Sequence, residues 1–103
     1  MIVRDSTLVN SYLEIAKNRI FKILPLLEES NEGLYHYVDS LLFEIYGLQY
    51  VVNGVKDSHN YLSLLCTLES ILDETLVQER DLKFIRSEIF RSIGTVEKLQ
   101  KGE

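Results

Sequence analysis

The sequence predicts an all-α protein, a single-domain antiparallel four-helix bundle over residues 1–103. Three observations carry that expectation. Breakers are scarce, with one proline and five glycines in 103 residues, while Leu, Ile, Glu and Lys are abundant. Apolar residues recur at three- and four-residue spacing in four separate stretches. The links between those stretches are short, which makes sequential helices antiparallel neighbours. An apolar fraction of 46% and a charged fraction of 26% are globular values, and they exclude a collagen-like, low-complexity or disulfide-scaffold chain.

The first helix is marked by Val9, Leu13, Ala16, Ile20, Leu24 and Leu27. Asp5, Ser6 or Thr7 is placed to cap its start, because a short side-chain oxygen can accept from the open N–H groups of the first turn. Pro25 lacks an N–H and its ring clashes with the preceding turn, so it should kink this helix or end it one turn early. Ser30-Asn31-Glu32-Gly33 reads as a turn. The second helix begins near Leu34, with Leu34, Val38, Leu41, Ile45, Leu48 and Val52 as its stripe. Two readings compete over residues 49–57. Gly54 can be the left-handed cap of that helix, or Asn53-Gly54 between β-branched residues can be a short hairpin. The persistence of the stripe to Val52 favours the helix.

Asp57 or Ser58 caps a third helix with the stripe Tyr61, Leu64, Leu65, Leu68, Leu72 and Leu76. The fourth carries Leu82, Ile85, Ile89, Ile93 and Val96. Continued at the helical angle, the third stripe would land on the opposite side from the fourth. A turn around Gln78–Asp81 resolves the mismatch.

The net charge of −5 is unevenly spread: residues 1–24 and 80–103 each carry +2, residues 25–56 carry −4 and residues 57–79 carry −5. The bundle should therefore have a basic and an acidic side. Glu69, Asp73 and Glu74 form a candidate acidic partner face. The simpler expectation is that the third helix's acids pair with Lys83 and Arg86. Arg80, Lys83, Arg91 and Lys98 are the weak candidates for phosphate contact, but they lie opposite the fourth apolar stripe, where an amphipathic helix keeps its solvated face. The acidic balance also argues against nucleic acid and anionic lipid as partners.

No residue pattern carries a recognised chemistry. Glu-x-x-His pairs of the di-iron kind are absent. His59, Cys66 and Asp73 are two turns apart, about 10.5 Å of rise per step, too far to share one zinc ion. The carboxylates near Cys66 disfavour a thiolate. The phosphate-cradling glycine motifs and the G-x-S-x-G elbow are missing. The expectation is a non-enzymatic protein with no cofactor and no metal. A single cysteine fits a reducing compartment. Without a basic-then-apolar leader or an apolar run of about 18 residues, the chain is expected to be cytoplasmic with no membrane partner.

Six tyrosines and no tryptophan are the compositional oddity, and four of the six (Tyr35, Tyr37, Tyr46, Tyr50) fall in the second helix. Tyr35, Leu42, Phe43, Tyr46 and Tyr50 extend its apolar arc well outside the main stripe. No helix is central in a four-helix bundle, so an arc this wide needs a cover. Tyrosine suits an interface because its ring is apolar and its tip polar. The sequence therefore points to a small regulatory or adaptor-like module that binds protein, self-associating as a homodimer through its second helix. The alternatives are an immunity or inhibitor protein that covers a basic-surfaced toxin or enzyme, and a nucleic-acid accessory factor.

Overall fold

The computed structural model describes residues 6–52 and 54–102, the side chains of Ser6 and Thr7 excepted. Its helices are α1 (Ser6–Phe21), α2 (Ile23–Glu28), α3 (Leu34–Val51), α4 (His59–Thr75) and α5 (Leu82–Gln100), with a single 3-10 turn at Val55–Asp57. The long helices α1, α3, α4 and α5 are the four expected, and among the described residues there is no strand. They form an elongated bundle, 42 × 21 × 20 Å, in which α1 lies along α5 and α3 along α4. The α4–α5 pair makes the most extensive contact, and a thinner α1–α3 seam closes the ring. No described helix is long and apolar enough to cross a membrane.

The breaks follow from local chemistry. Pro25 cannot donate to Phe21, four residues earlier, and its ring crowds that carbonyl. The first helix accordingly breaks at Lys22 and resumes as α2. After α2, Ser30 takes a left-handed φ of 52°. The Asn31 N–H then reaches the Leu26 carbonyl at 3.0 Å and the Ser30 N–H reaches Leu27 at 3.2 Å, a double closure of the helix end. Asn31 Oδ1 accepts from the Gly33 N–H at 2.7 Å and shapes the start of α3. At the far end α3 stops at Val51, Val52 is extended, and Gly54 is left-handed with φ 82°. The helix thus ends before Gly54, which opens the 3-10 turn, and the hairpin alternative is not adopted. Ser58 Oγ caps α4 by accepting from Tyr61, and Asp81 Oδ1 caps α5 by accepting from Phe84. The expected cap of α1 by Asp5, Ser6 or Thr7 lies outside the residues and side chains described.

All four stripes face one core, with Ile20, Leu34, Val38, Leu41, Leu64, Leu68, Ile85, Ile89 and Val96 fully buried. Ile23 and Ile71 join it from outside the predicted stripes. Leu76 and Leu82 do not join it. They flank the α4–α5 link, beyond the packed length of the helices, and are 66% and 44% exposed. On α4 and α5 the buried polar side chains include Thr67, Thr75, Ser92 and Thr95. Their short hydroxyls donate to carbonyls three or four residues back in their own helices. Burial therefore leaves them satisfied.

Candidate functional site

The two halves of α3 differ on the side turned away from the core. Its first half presents His36, Asp39 and Ser40 there, and its second half presents Phe43, Gly47 and Tyr50. Phe43 and Tyr50 are 76% and 77% exposed, and Tyr46 beside them is 38% exposed. These three rings occupy consecutive turns, since 43, 46 and 50 are three and four residues apart.

Two other predicted members of the patch fall elsewhere. Leu42 is only 7% exposed. It belongs to the core, because its position on the wheel turns it toward α4, and it contributes only to the lining of a recess. Tyr35 is half-buried in the first turn of α3, its ring edge-on to His36 at 5.5 Å. It stands about 16 Å of helical rise from Tyr46, too far to share one cluster.

Two open recesses flank the crest. One of about 380 Å³ is lined by Asp39, Leu42, Phe43, Tyr46, Gly47, Gln49 and Tyr50. The other, about 330 Å³, lies in the α1–α3 seam between Tyr12, Ala16, Glu44, Ile45, Gly47, Leu48 and Val51. Gly47 borders both, so its bare backbone stands between the two. From α1 the surface is extended by Leu8, Tyr12 and Ile15, at 51%, 46% and 57% exposure. The sequence held a signal for this strip: the three residues have the i, i+4, i+7 spacing of one helix face, separate from the core stripe.

The crest is held rigidly from both sides. Toward α4, the Tyr46 hydroxyl donates to Glu69 Oε1 at 2.5 Å, and the Tyr61 hydroxyl donates to the Ile45 carbonyl at 2.6 Å. The Glu69 hydrogen bond, with some desolvation, raises the Tyr46 phenol above its ordinary value, and burial raises that of Tyr61. Toward α1, Arg19 pairs with Glu44 and lies over the Tyr37 ring at 5.4 Å. The Tyr37 hydroxyl in turn donates to the Arg19 carbonyl at 2.7 Å. Burial alone would lower the Arg19 guanidinium; its hydrogen bonds with Glu44 and Tyr37 outweigh that and raise it.

The charged candidates are dispersed and partly engaged. Glu69 is held by Tyr46, Glu74 Oε1 accepts from the Asp81 N–H at 2.9 Å, and Asp73 is exposed. Among the described residues no ion pair joins α4 acids to α5 bases, contrary to the simpler expectation. Glu69 turns toward α3, and Arg86 finds Glu28 of α2 at 3.7 Å. Of the phosphate candidates, Arg80 Nε donates to the Thr75 carbonyl and closes the end of α4, and Arg91 lies 3.8 Å from Glu88. Lys83 and Lys98 are exposed. His59, Cys66 and Asp73 are exposed along α4, and no group of three metal-ligating side chains forms among the described residues.

A third hollow, about 260 Å³, sits at the end of the bundle among Val9, Leu13, Leu48, Val52, Val55 and Leu99. Among the described residues Ser58 is the one polar side chain lining it, and its Oγ already accepts from Tyr61.

Compared with models of known protein families, with curated proteins and with solved structures, the chain gives no match.

Proposed function

We propose that this protein is a small, non-enzymatic protein-interaction module of the cytoplasm, and that the second half of α3 is its working surface. The observation that carries the reading is the pair Phe43 and Tyr50, each more than three-quarters exposed on a rigid helix already anchored to α1 and α4. Exposed aromatic rings on a fixed scaffold suit a hot spot, because they bury much area and lose little conformational freedom on docking. Self-association through this helix is the leading form of the reading. The lone Cys66, exposed and unbridged, fits a reducing compartment.

Affinity purification from the native cell, with Phe43→Asp/Tyr50→Asp as the control, tests the reading. The wild-type chain should retain at least one protein, itself included, that the double variant loses while keeping its helicity. Identical sets of bound proteins would contradict it.

A further inference from the structure

We propose that the surface centred on Gly47 seats a second copy of this chain, docked about a two-fold axis passing close to Gly47. The proposal rests on the reading of the α3 crest as an interaction surface and names its occupant.

Gly47 is the first observation. Glycine weakens a helix interior relative to alanine. Nothing within one chain requires it here, because a Cβ built at position 47 meets no atom within 4 Å. A bare backbone on an outward helix face does let another helix approach closely. Gly94 in α5 is equally free of neighbours and has the exposed Phe90 four residues before it, but Glu97 stands three after it, with Arg91 and Lys98 alongside. Only Gly47 stands between two exposed rings, with Phe43 four residues before it and Tyr50 three after.

The second observation is shape. The same surface carries ridges and hollows: the projecting Phe43 and Tyr50 rings, and the recesses of about 380 and 330 Å³ on either side of Gly47. A two-fold contact brings one patch against its own copy, so ridge and hollow must coexist on a single surface. Here each ring can enter the hollow beside the partner's glycine.

Area is the third. At about 200 Å² for a full aromatic side chain, the exposed fractions of Phe43, Tyr46, Tyr50 and Tyr12 leave roughly 470 Å² of ring surface. Leu8 and Ile15 bring the patch to roughly 600 Å², so two copies would bury about 1,200 Å², the lower end of a standard interface. Of the charges beside the crest, Glu44 is engaged with Arg19 and Glu69 with Tyr46, while Asp39 lines the larger recess. Repulsion between copies therefore comes from Asp39 and from the overall charge of −5. Salt screens that repulsion and should tighten the dimer, whereas it would loosen a complex with a basic foreign partner.

Sedimentation of the purified full chain tests this, from about 1 to about 500 µM protein at about 50 and about 500 mM salt, a range matched to a small interface and to screening. The wild type should pass from 12.0 kDa to twice that mass, at lower concentration in the higher salt. Gly47→Gln places a side chain at the crossing point, where a Cβ has free space within the chain, and Ile15→Lys charges the α1 margin. Each should weaken the dimer at least tenfold, with helicity kept and the thermal midpoint of dilute protein not lowered. A monomer at every concentration, a dimer indifferent to Gly47→Gln, or a dimer loosened by salt would each overturn the proposal. If the wild type is monomeric while native-cell capture still depends on Phe43 and Tyr50, the second copy is wrong and the interaction surface stands. A dimer untouched by Gly47→Gln and by Phe43→Asp/Tyr50→Asp, with no crest-dependent capture, removes both.

Discussion

α5 and α3 are helices of similar length in the same bundle, and they finish their outer faces differently. α5 buries Ile85, Ile89 and Val96 and turns Lys83, Arg86, Arg91, Glu97 and Lys98 to solvent, with Phe84 in its first turn and Phe90 in its middle as separate exposed rings. α3 buries Leu34, Val38, Leu41 and Ile45, but from Phe43 onward its outer face is two rings and a glycine. Folding of the single chain explains the inner face of both helices. It explains the outer face of α5 too, since charged residues there keep the helix solvated. It does not explain the outer face of α3, whose rings add little to the stability of one chain and present a large apolar area to solvent. An apolar stripe facing the core reports folding, and a second one facing away reports something else.

The comparison breaks most visibly if core and crest respond alike to truncation. Leu41→Ala, Leu68→Ala and Ile89→Ala each remove a fully buried side chain and should cost about 2–5 kcal/mol in chemical denaturation. Phe43→Ser and Tyr50→Ser, measured on dilute protein, should stay within about 0.5 kcal/mol of wild type. A crest variant as damaging as a core variant would mean that those rings are structural.

A smaller effect is expected at the tie between α4 and the crest. Tyr61→Phe keeps the buried ring and loses the 2.6 Å hydrogen bond to the Ile45 carbonyl, at a cost of about 1 kcal/mol. An unchanged denaturation midpoint would leave the Tyr46–Glu69 hydrogen bond as the tie on that side.

Two backbone changes should stabilise the chain by about 0.5–1 kcal/mol each. Gly47→Ala improves a helix interior where a Cβ fits freely. Ser30→Gly relieves a left-handed position that side chains resist. Loss of stability in Gly47→Ala would show that the glycine serves the fold of the single chain, and the contrast between α3 and α5 would lose its sharpest point.

The smallest effect is alkaline. Tyr46 and Tyr61 have phenols raised above the ordinary value of 10.0, so the folded state holds their protons more tightly than the unfolded chain does. Their contribution is complete below pH 10 and declines as pH climbs through the raised folded values. Tyr46→Phe and Tyr61→Phe should each flatten that decline, read as denaturation midpoints against pH. The same slope in both variants would contradict the assignment.

Much of this architecture was legible in the sequence because its causes are local. The stripes define the helices, Ser58 marks the start of α4, and the clash of Pro25 with the carbonyl four residues back sets the break at Lys22. The crest was legible through Phe43, Tyr46 and Tyr50. What escaped depends on which helix lies beside which. Leu42 sits at the border of the α3 stripe, and only the position of α4 decides that it is buried. Arg86 pairs with Glu28 because α2 folds back beside α5, which no spacing within α5 encodes. Leu8, Tyr12 and Ile15 were visible as a strip, but their continuity with the crest exists only because α1 lies beside α3 and Gly47 opens onto both recesses.

Amide NMR shifts followed as the purified chain is concentrated test the central claim most directly, because they report every helix face in one experiment. The account predicts concentration-dependent shifts confined to the outer faces of α1 around Leu8–Ile15 and of α3 from Phe43 to Val51, with the charged face of α5 unmoved. Shifts gathered on Lys83, Arg91 and Lys98, or a spectrum unchanged at every concentration, would contradict it.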